Sequence, residues 1–213
     1  MNIGIVGLGL IGGSIGLKLQ ALNHSVFGVA NNLSNQKKAK ERKLATYVTT
    51  DLTILKECSI IFLALPIRDL IKPNKELIET IPEDSIITDV ASIKDPIIKT
   101  WENLHPLFIG SHPMAGNEYK GVNAGRVDLL ENAKWVITTT QKTDMDSVEI
   151  LSNIIRSMKC EVIFANPSIH DKATSLISHL PIFLASSLIH TAYSKDDQML
   201  TNLALKIASS GFA

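Results

Sequence analysis

Strand-like apolar runs alternate with helically spaced apolar positions along most of this chain. Asn2–Val6 (NIGIV) and Ser25–Val29 (SVFGV) are short β-rich runs, and Ile11–Leu22 between them has helical spacing. Ser59–Leu65 (SIIFLAL) and Ser85–Val90 (SIITDV) are nearly continuous apolar runs, as expected of strands buried on both faces of a parallel sheet. Leu107–Ile109, Trp135–Thr139 and Glu161–Phe164 continue the series, with a helix over Met145–Met158 between the last two. This alternation predicts the α/β class and a Rossmann-type doubly wound sheet.

The texture changes after Asn166-Pro167. From Ser168 to Tyr193 there is no strand signal, and Asp197–Ala208 again has helical spacing. The prediction is a nucleotide-binding domain over 1–166 and the start of an all-helical region over 167–213. A region that short is incomplete as an independent core.

Composition narrows the class without naming a chemistry. Lys+Arg and Asp+Glu both number 21, so the net charge is zero and nothing points to nucleic acid. Cys58 and Cys160 stand apart in apolar runs, which predicts buried thiols in a reducing compartment and argues against a disulfide or metal framework. The chain's start is glycine-rich and lacks a basic segment, so it reads as a first strand, not a signal peptide. No apolar run reaches about 18 residues, so no membrane span is expected. A soluble cytoplasmic protein follows.

Chemistry enters at the first turn. Gly7-Leu8-Gly9-Leu10-Ile11-Gly12 is a G-x-G-x-x-G that directly follows a strand and opens a helix, the context a dinucleotide site requires. Gly7 permits the tight turn, Gly9 admits the pyrophosphate, and Gly12 lets helix and strand pack closely. The helix N-terminus adds free N–H groups and a positive dipole end. At the end of the second strand, Ala30-Asn31-Asn32-Leu33-Ser34-Asn35 contains no acid to hold ribose hydroxyls. NADP is favoured over NAD, since Asn, Ser and Lys donors suit a 2′-phosphate. Lys37 and Lys38 follow, either as such donors or as a solvated helix face.

Ligands in such sheets lie beyond the carboxyl ends of the strands. Leu65 and Pro66 follow one strand, Val90, Ala91 and Ser92 the next, and the segment Gly110 to Gly116 the third. Ser92 and His112 would meet near the nicotinamide, with Ser92 fixing the imidazole tautomer. A histidine suits removal of a hydroxyl proton near neutral pH. From spacing alone, His112 is either that base or a loop histidine satisfied by backbone.

These segments together resemble the prephenate/arogenate dehydrogenases, the cyanobacterial arogenate type most closely. The carriers are the glycine turn, Thr88 to Lys94 (TDVASIK), Gly110 to Gly116 (GSHPMAG), Ile177 to Pro181 (ISHLP) and Ala208 to Phe212 (ASSGF). The resemblance implies oxidative decarboxylation of a cyclohexadienol with hydride transfer to NADP, in tyrosine biosynthesis. It implies His112 as the group that deprotonates the ring hydroxyl and Ser92 as its support. Ser111, Gly116 and His179 would contact substrate, and Asp171 and Ser175 would share the helix face of His179. Without the resemblance, His179 reads as a helix-packing residue. The helical region implies a homodimer. Similar proteins continue further and carry an arginine for the substrate carboxylate soon after the Gly-Phe. The expectation is that this chain, ending at Ala213, is truncated before that arginine and turns over poorly alone. Two rivals stand beside this reading. One is another Rossmann reductase acting on an imine or hydroxy acid; the other is a nucleotide-binding module without turnover.

Overall fold

In the computed structural model, residues 1–193, 199, 202, 203 and 206 are described. The rest of the expected Asp197–Ala208 helix and the ASSGF segment lie outside the described residues. The described strands are β1 (Asn2–Val6), β2 (Ser25–Val29), β3 (Tyr47–Thr49), β4 (Ile60–Leu63), β5 (Ile86–Asp89), β6 (Phe108–Pro113), β7 (Lys134–Thr138) and β8 (Glu161–Ala165). They form one sheet in the order β3-β2-β1-β4-β5-β6-β7-β8. Neighbours from β3 to β6 pair in parallel, β6 pairs with β7 antiparallel, and β7 with β8 in parallel. The order reverses between β1 and β4, which is the topological switch point of a Rossmann-type sheet. The expected fold class is the one observed.

Burial explains the unbroken apolar runs. Ile3, Ile5, Ile60 and Phe62 pack into a cluster on one face of the sheet; Val6, Ile61, Leu63 and Ile87 pack into a cluster on the other. With a period of two, both sets must be apolar. Each such side chain contributes about 1.5–3 kcal/mol on burial. The helices covering these faces are α1 (Leu10–Ala21), α2 (Leu33–Glu41), α3 (Ile67–Ile71), α4 (Lys75–Thr80), α5 (Asp95–Trp101) and α6 (Met145–Ser157). Helix α6 begins where the Asp144 carboxylate accepts the Ser147 N–H at 2.8 Å. It buries Val148, Leu151, Ile154 and Ile155, a stripe of helical spacing. Cys58 and Cys160 are buried as expected, and burial pushes each thiol up to about 11.

The chain divides into a compact unit over Met1–Asp171 and a second over Lys172–Ala213. Helix α7 (Pro167–Thr174) starts at the Asn-Pro step, where the Asn166 side chain accepts the Ser168 N–H at 3.0 Å. The second unit contains a π-helical turn over Ser175–His179 and then α8 (Leu180–Tyr193). A π turn holds about one residue more than an α turn, so α-helical i, i+4 spacing is not maintained through His179. Leu176, Ile177, Ile182, Phe183, Leu184 and Leu188 are exposed along it. By length and composition alone, the 25 helical residues Pro167–Thr191 could cross a membrane. In the sequence, His170, Asp171, Lys172 and His179 break the same stretch into shorter apolar runs. The same properties belong to a helix whose apolar face is covered by protein.

Candidate functional site

The glycine turn sits at the carboxyl end of β1. Gly7 has φ +95°, and a Cβ there would lie 2.3 Å from the Ala64 carbonyl oxygen. A Cβ on Gly12 would lie 2.0 Å from the Gly7 carbonyl oxygen, so only glycine allows α1 this close to the turn. Nothing lies within 4 Å of the corresponding position on Gly9. That open space stands in front of the first N–H groups of α1, so the residues fit a pyrophosphate there. Leu8 is core, buried against Gly28, and only its backbone belongs to the turn.

A cavity of about 460 Å³ opens beside the turn, between the ends of β1, β2 and β4. Gly7, Ala30, Asn31 and Leu65 line it. Thr50, Asp69, Lys72 and Glu76 also line it and were not anticipated. Asn32 caps α2 by accepting the Asn35 backbone N–H on its side-chain oxygen at 2.8 Å, and the Asn31 Oδ1 accepts from the Asn35 Nδ2 at 2.7 Å. Lys37 and Lys38 are exposed on α2. His112 does not line this cavity. The cavity therefore suits the adenosine side of a dinucleotide.

The reacting side lies at β5 and β6. Strand β6 runs on to Pro113, so Ser111 and His112 are strand residues and do not follow the strand as expected. Its second half gains ladder partners in β7: Ser111 opposite Ile137 and His112 opposite Val136. Neighbours in a strand face opposite ways. Ser111 faces inward and is wholly buried. Its hydroxyl donates to the Asp89 carbonyl at 2.7 Å and accepts from Thr88 and from the Trp135 indole, each at 2.9 Å. This corrects the expected substrate contact: Ser111 locks β5 to β6. Gly116 lies in the exposed loop beyond β6.

His112 is half-buried, and its Nδ1 lies 3.0 Å from Nε2 of His170 on α7. The His170 ring is buried, and its Nδ1 lies 2.8 Å from an Asp171 carboxylate oxygen. Asp171 in turn accepts the N–H of Lys94 at 2.7 Å and of Asp95 at 2.9 Å. Partial burial works against its ionisation. The Asp95 N–H, the His170 ring and the Lys94 N–H outweigh that, and the carboxyl sits below its ordinary value. Ser92 makes no hydrogen bond to His112 among the described residues; it lies half-buried in the bend after β5. The Nδ1 of His112 is held instead by His170 on α7. Val90 is half-buried, and the Ala91 N–H is spent on Asp89 at 3.0 Å.

Beneath this group, Lys94 and Asp89 form a fully buried ion pair. The Lys94 ammonium also donates to the Ser111 carbonyl at 2.6 Å, and the Ser111 N–H donates to Asp89 at 3.1 Å. The pair fixes the bend 90–94 against the strand that carries His112. His179 is exposed within the π turn of the second unit.

Comparison with known proteins divides the chain near residue 165. Residues 15–164 match the family model for the prephenate dehydrogenase nucleotide-binding domain, and residues 166–213 match that for the prephenate dehydrogenase dimerization domain. Prephenate dehydrogenase of Bacillus subtilis is 32% identical over 98% of this chain, which spans 57% of that relative's length. Among solved structures, Synechocystis arogenate dehydrogenase has 36% identity and a TM-score of 0.81, covering 100% of this chain and 76% of that one. Prephenate dehydrogenase of Aquifex aeolicus, solved with hydroxyphenyl propionate and NAD+, has 28% identity and a TM-score of 0.90, covering 100% and 75%.

Proposed function

The chain belongs to the prephenate dehydrogenase family, and from that premise we propose that it serves the oxidative decarboxylation of arogenate or prephenate in tyrosine biosynthesis, with NADP as hydride acceptor. The observation that carries this reading is His112, a half-buried imidazole at the carboxyl end of β6, in the same sheet edge as the glycine turn of β1. The relatives' substrates and the hydroxyphenyl ligand of the A. aeolicus protein supply the substrate class.

The glycine turn holds the pyrophosphate, and Asn31, Asn32 and Leu65 flank the adenosine side. Pro66, Val90 and Ala91 border the site from the β4 and β5 ends. A bound nicotinamide supplies the hydride acceptor. His112 takes the ring hydroxyl proton as hydride leaves the carbinol carbon. Loss of the ring carboxylate as CO₂ sends its bonding pair into the ring, and the phenolate oxygen takes the proton back from His112. The net change is one hydride transferred and one CO₂ released. Gly116 and His179 are proposed substrate-side contacts, and Ser92 is proposed to support the reacting group from the bend after β5. The helical region serves homodimerisation, which would cover the exposed apolar face of α8, and two unreactive thiols suit a cytoplasmic protein.

The NADP preference rests on the end of β2. No carboxylate stands between Ala30 and Asn35; the acids of the cavity, Asp69 and Glu76, lie toward β4, where Lys72 accompanies them. NADP⁺ should bind more tightly than NAD⁺ in a titration of the purified chain. Asn31→Asp should shift the ratio toward NAD⁺, by adding a hydroxyl acceptor and repelling the 2′-phosphate. Equal affinities in the parent protein would remove the preference. Activity is tested by assaying arogenate and prephenate with both cofactors, using the chain itself and a version extended by a relative's C-terminal segment. Cofactor binding with no turnover in either protein would overturn the dehydrogenase reading in favour of a nucleotide-binding module.

A further inference from the structure

We infer that Asp171 and His170 are positioning residues that act through His112, holding its proton on Nδ1 and presenting Nε2 as the atom that receives the substrate's hydroxyl proton. The inference rests on the function proposed above and adds to it the direction of proton movement.

The geometry sets the direction in two steps. An ionised carboxylate only accepts hydrogen bonds. Asp171 is fixed in place by two backbone N–H groups, so the His170 nitrogen 2.8 Å away must be the donor. With its proton on Nδ1, neutral His170 has its lone pair on Nε2. That atom lies 3.0 Å from His112 Nδ1, which must then donate. His112 is left with its own lone pair on Nε2. The rings meet at 80°, edge to face.

The same chain handles the charge that follows. When His112 takes a proton on Nε2, its Nδ1–H can pass to His170 Nε2. The cation then lies beside the Asp171 carboxylate, and the proton returns by the reverse path when the phenolate is reprotonated. No proton is gained or lost in the cycle. Among the described residues, the Lys94 ammonium near Asp171 is engaged by Asp89, and the Asp95 carboxylate by Lys99 at 2.5 Å. Helix α7 therefore contributes to the reaction from outside the sheet, through its first turns.

Two measurements test this. The tautomer of His112 is read from ¹H–¹⁵N spectra of the labelled full chain, with the signal assigned by its absence in His112→Asn. The expected result is an unprotonated Nε2 in the parent protein and a shift to the Nε2–H form in Asp171→Asn, whose amide can donate to His170 and reverse the chain. Kinetics should show kcat lowered by about 10–100-fold in Asp171→Asn, a part of the ~10²–10⁴ a general base contributes. NADP⁺ affinity should hold, and Asp171→Glu should recover part of the loss. A parent protein with His112 in the Nε2–H form overturns the inference, and this reading decides it even if Asp171→Asn fails to fold. An Asp171→Asn variant with parental kcat overturns it as well. Absence of turnover in the parent protein would sink the dehydrogenase reading instead, while the spectra would still decide the relay.

Discussion

Lys94→Met is expected to cost the fold about 3–5 kcal/mol at neutral pH, the usual penalty for removing one partner of a buried pair. Neither side chain of the pair has exposed surface. Burial pushes the Asp89 carboxyl up and the Lys94 ammonium down, and their mutual attraction opposes both. Methionine fills the space of the lysine stem but offers the carboxylate nothing. Only the N–H groups of Ala91 and Ser111 would still answer Asp89. Its value must then rise further above that of the unfolded chain, about 3.9. A carboxyl raised in the folded state gives stability that is present below its unfolded value and lost as pH rises through the folded one. The destabilisation should therefore be largest at neutral and alkaline pH and shrink toward about pH 4. Urea unfolding of both proteins across that range measures it. A loss under about 1 kcal/mol, or one that does not change with pH, would show that the pair is not the constraint described.

That pair also marks how far the sequence could be read. Asp89 and Lys94 stand in plain view in TDVASIK, but no local rule says that the lysine turns inward. A lysine five residues after a strand-end aspartate reads equally well as a surface residue until the bend between them is known. The strands were legible because β1, β4 and β5 are apolar on both faces, and the glycine turn because each glycine answers a separate steric demand. Strand β6 was read too short. Its second half, Gly110–Pro113, begins with glycine and ends with proline, both poor strand formers, and it is extended by its pairing with β7. From that error came the wrong placement of Ser111, since two neighbours in a loop can face one ligand and two neighbours in a strand cannot. Helix α2 and strand β3 were missed because α2 is almost wholly polar and β3 has three residues. His170 was missed for a different reason. It lies 58 residues from His112, and only the packing of α7 against the bend after β5 brings the two together.

His112→Asn should lower kcat by about 10²–10⁴-fold, the contribution expected of a positioned acid–base group. The choice of asparagine separates two roles of the ring. Its amide can occupy the place of Nδ1 and keep a hydrogen bond to His170, but it has nothing at the place of Nε2. If His112 merely tied β6 to α7, the substitution would be mild. If it receives the substrate proton, the rate should collapse while the fold holds. NADP⁺ affinity should stay close to the parental value, because the glycine turn and its cavity are built from β1, β2 and β4, and His112 does not line that cavity. The pH profile is the sharper readout. In the parent protein, kcat should fall on the acid side as the imidazole takes a proton from solvent. That limb should be missing from the residual activity of His112→Asn. Steady-state rates against pH, with NADP⁺ affinity measured in parallel in an active preparation, make the comparison. A variant that keeps the parental kcat, or one that loses activity only with loss of cofactor binding or of the fold, would return His112 to a structural tie between β6 and α7.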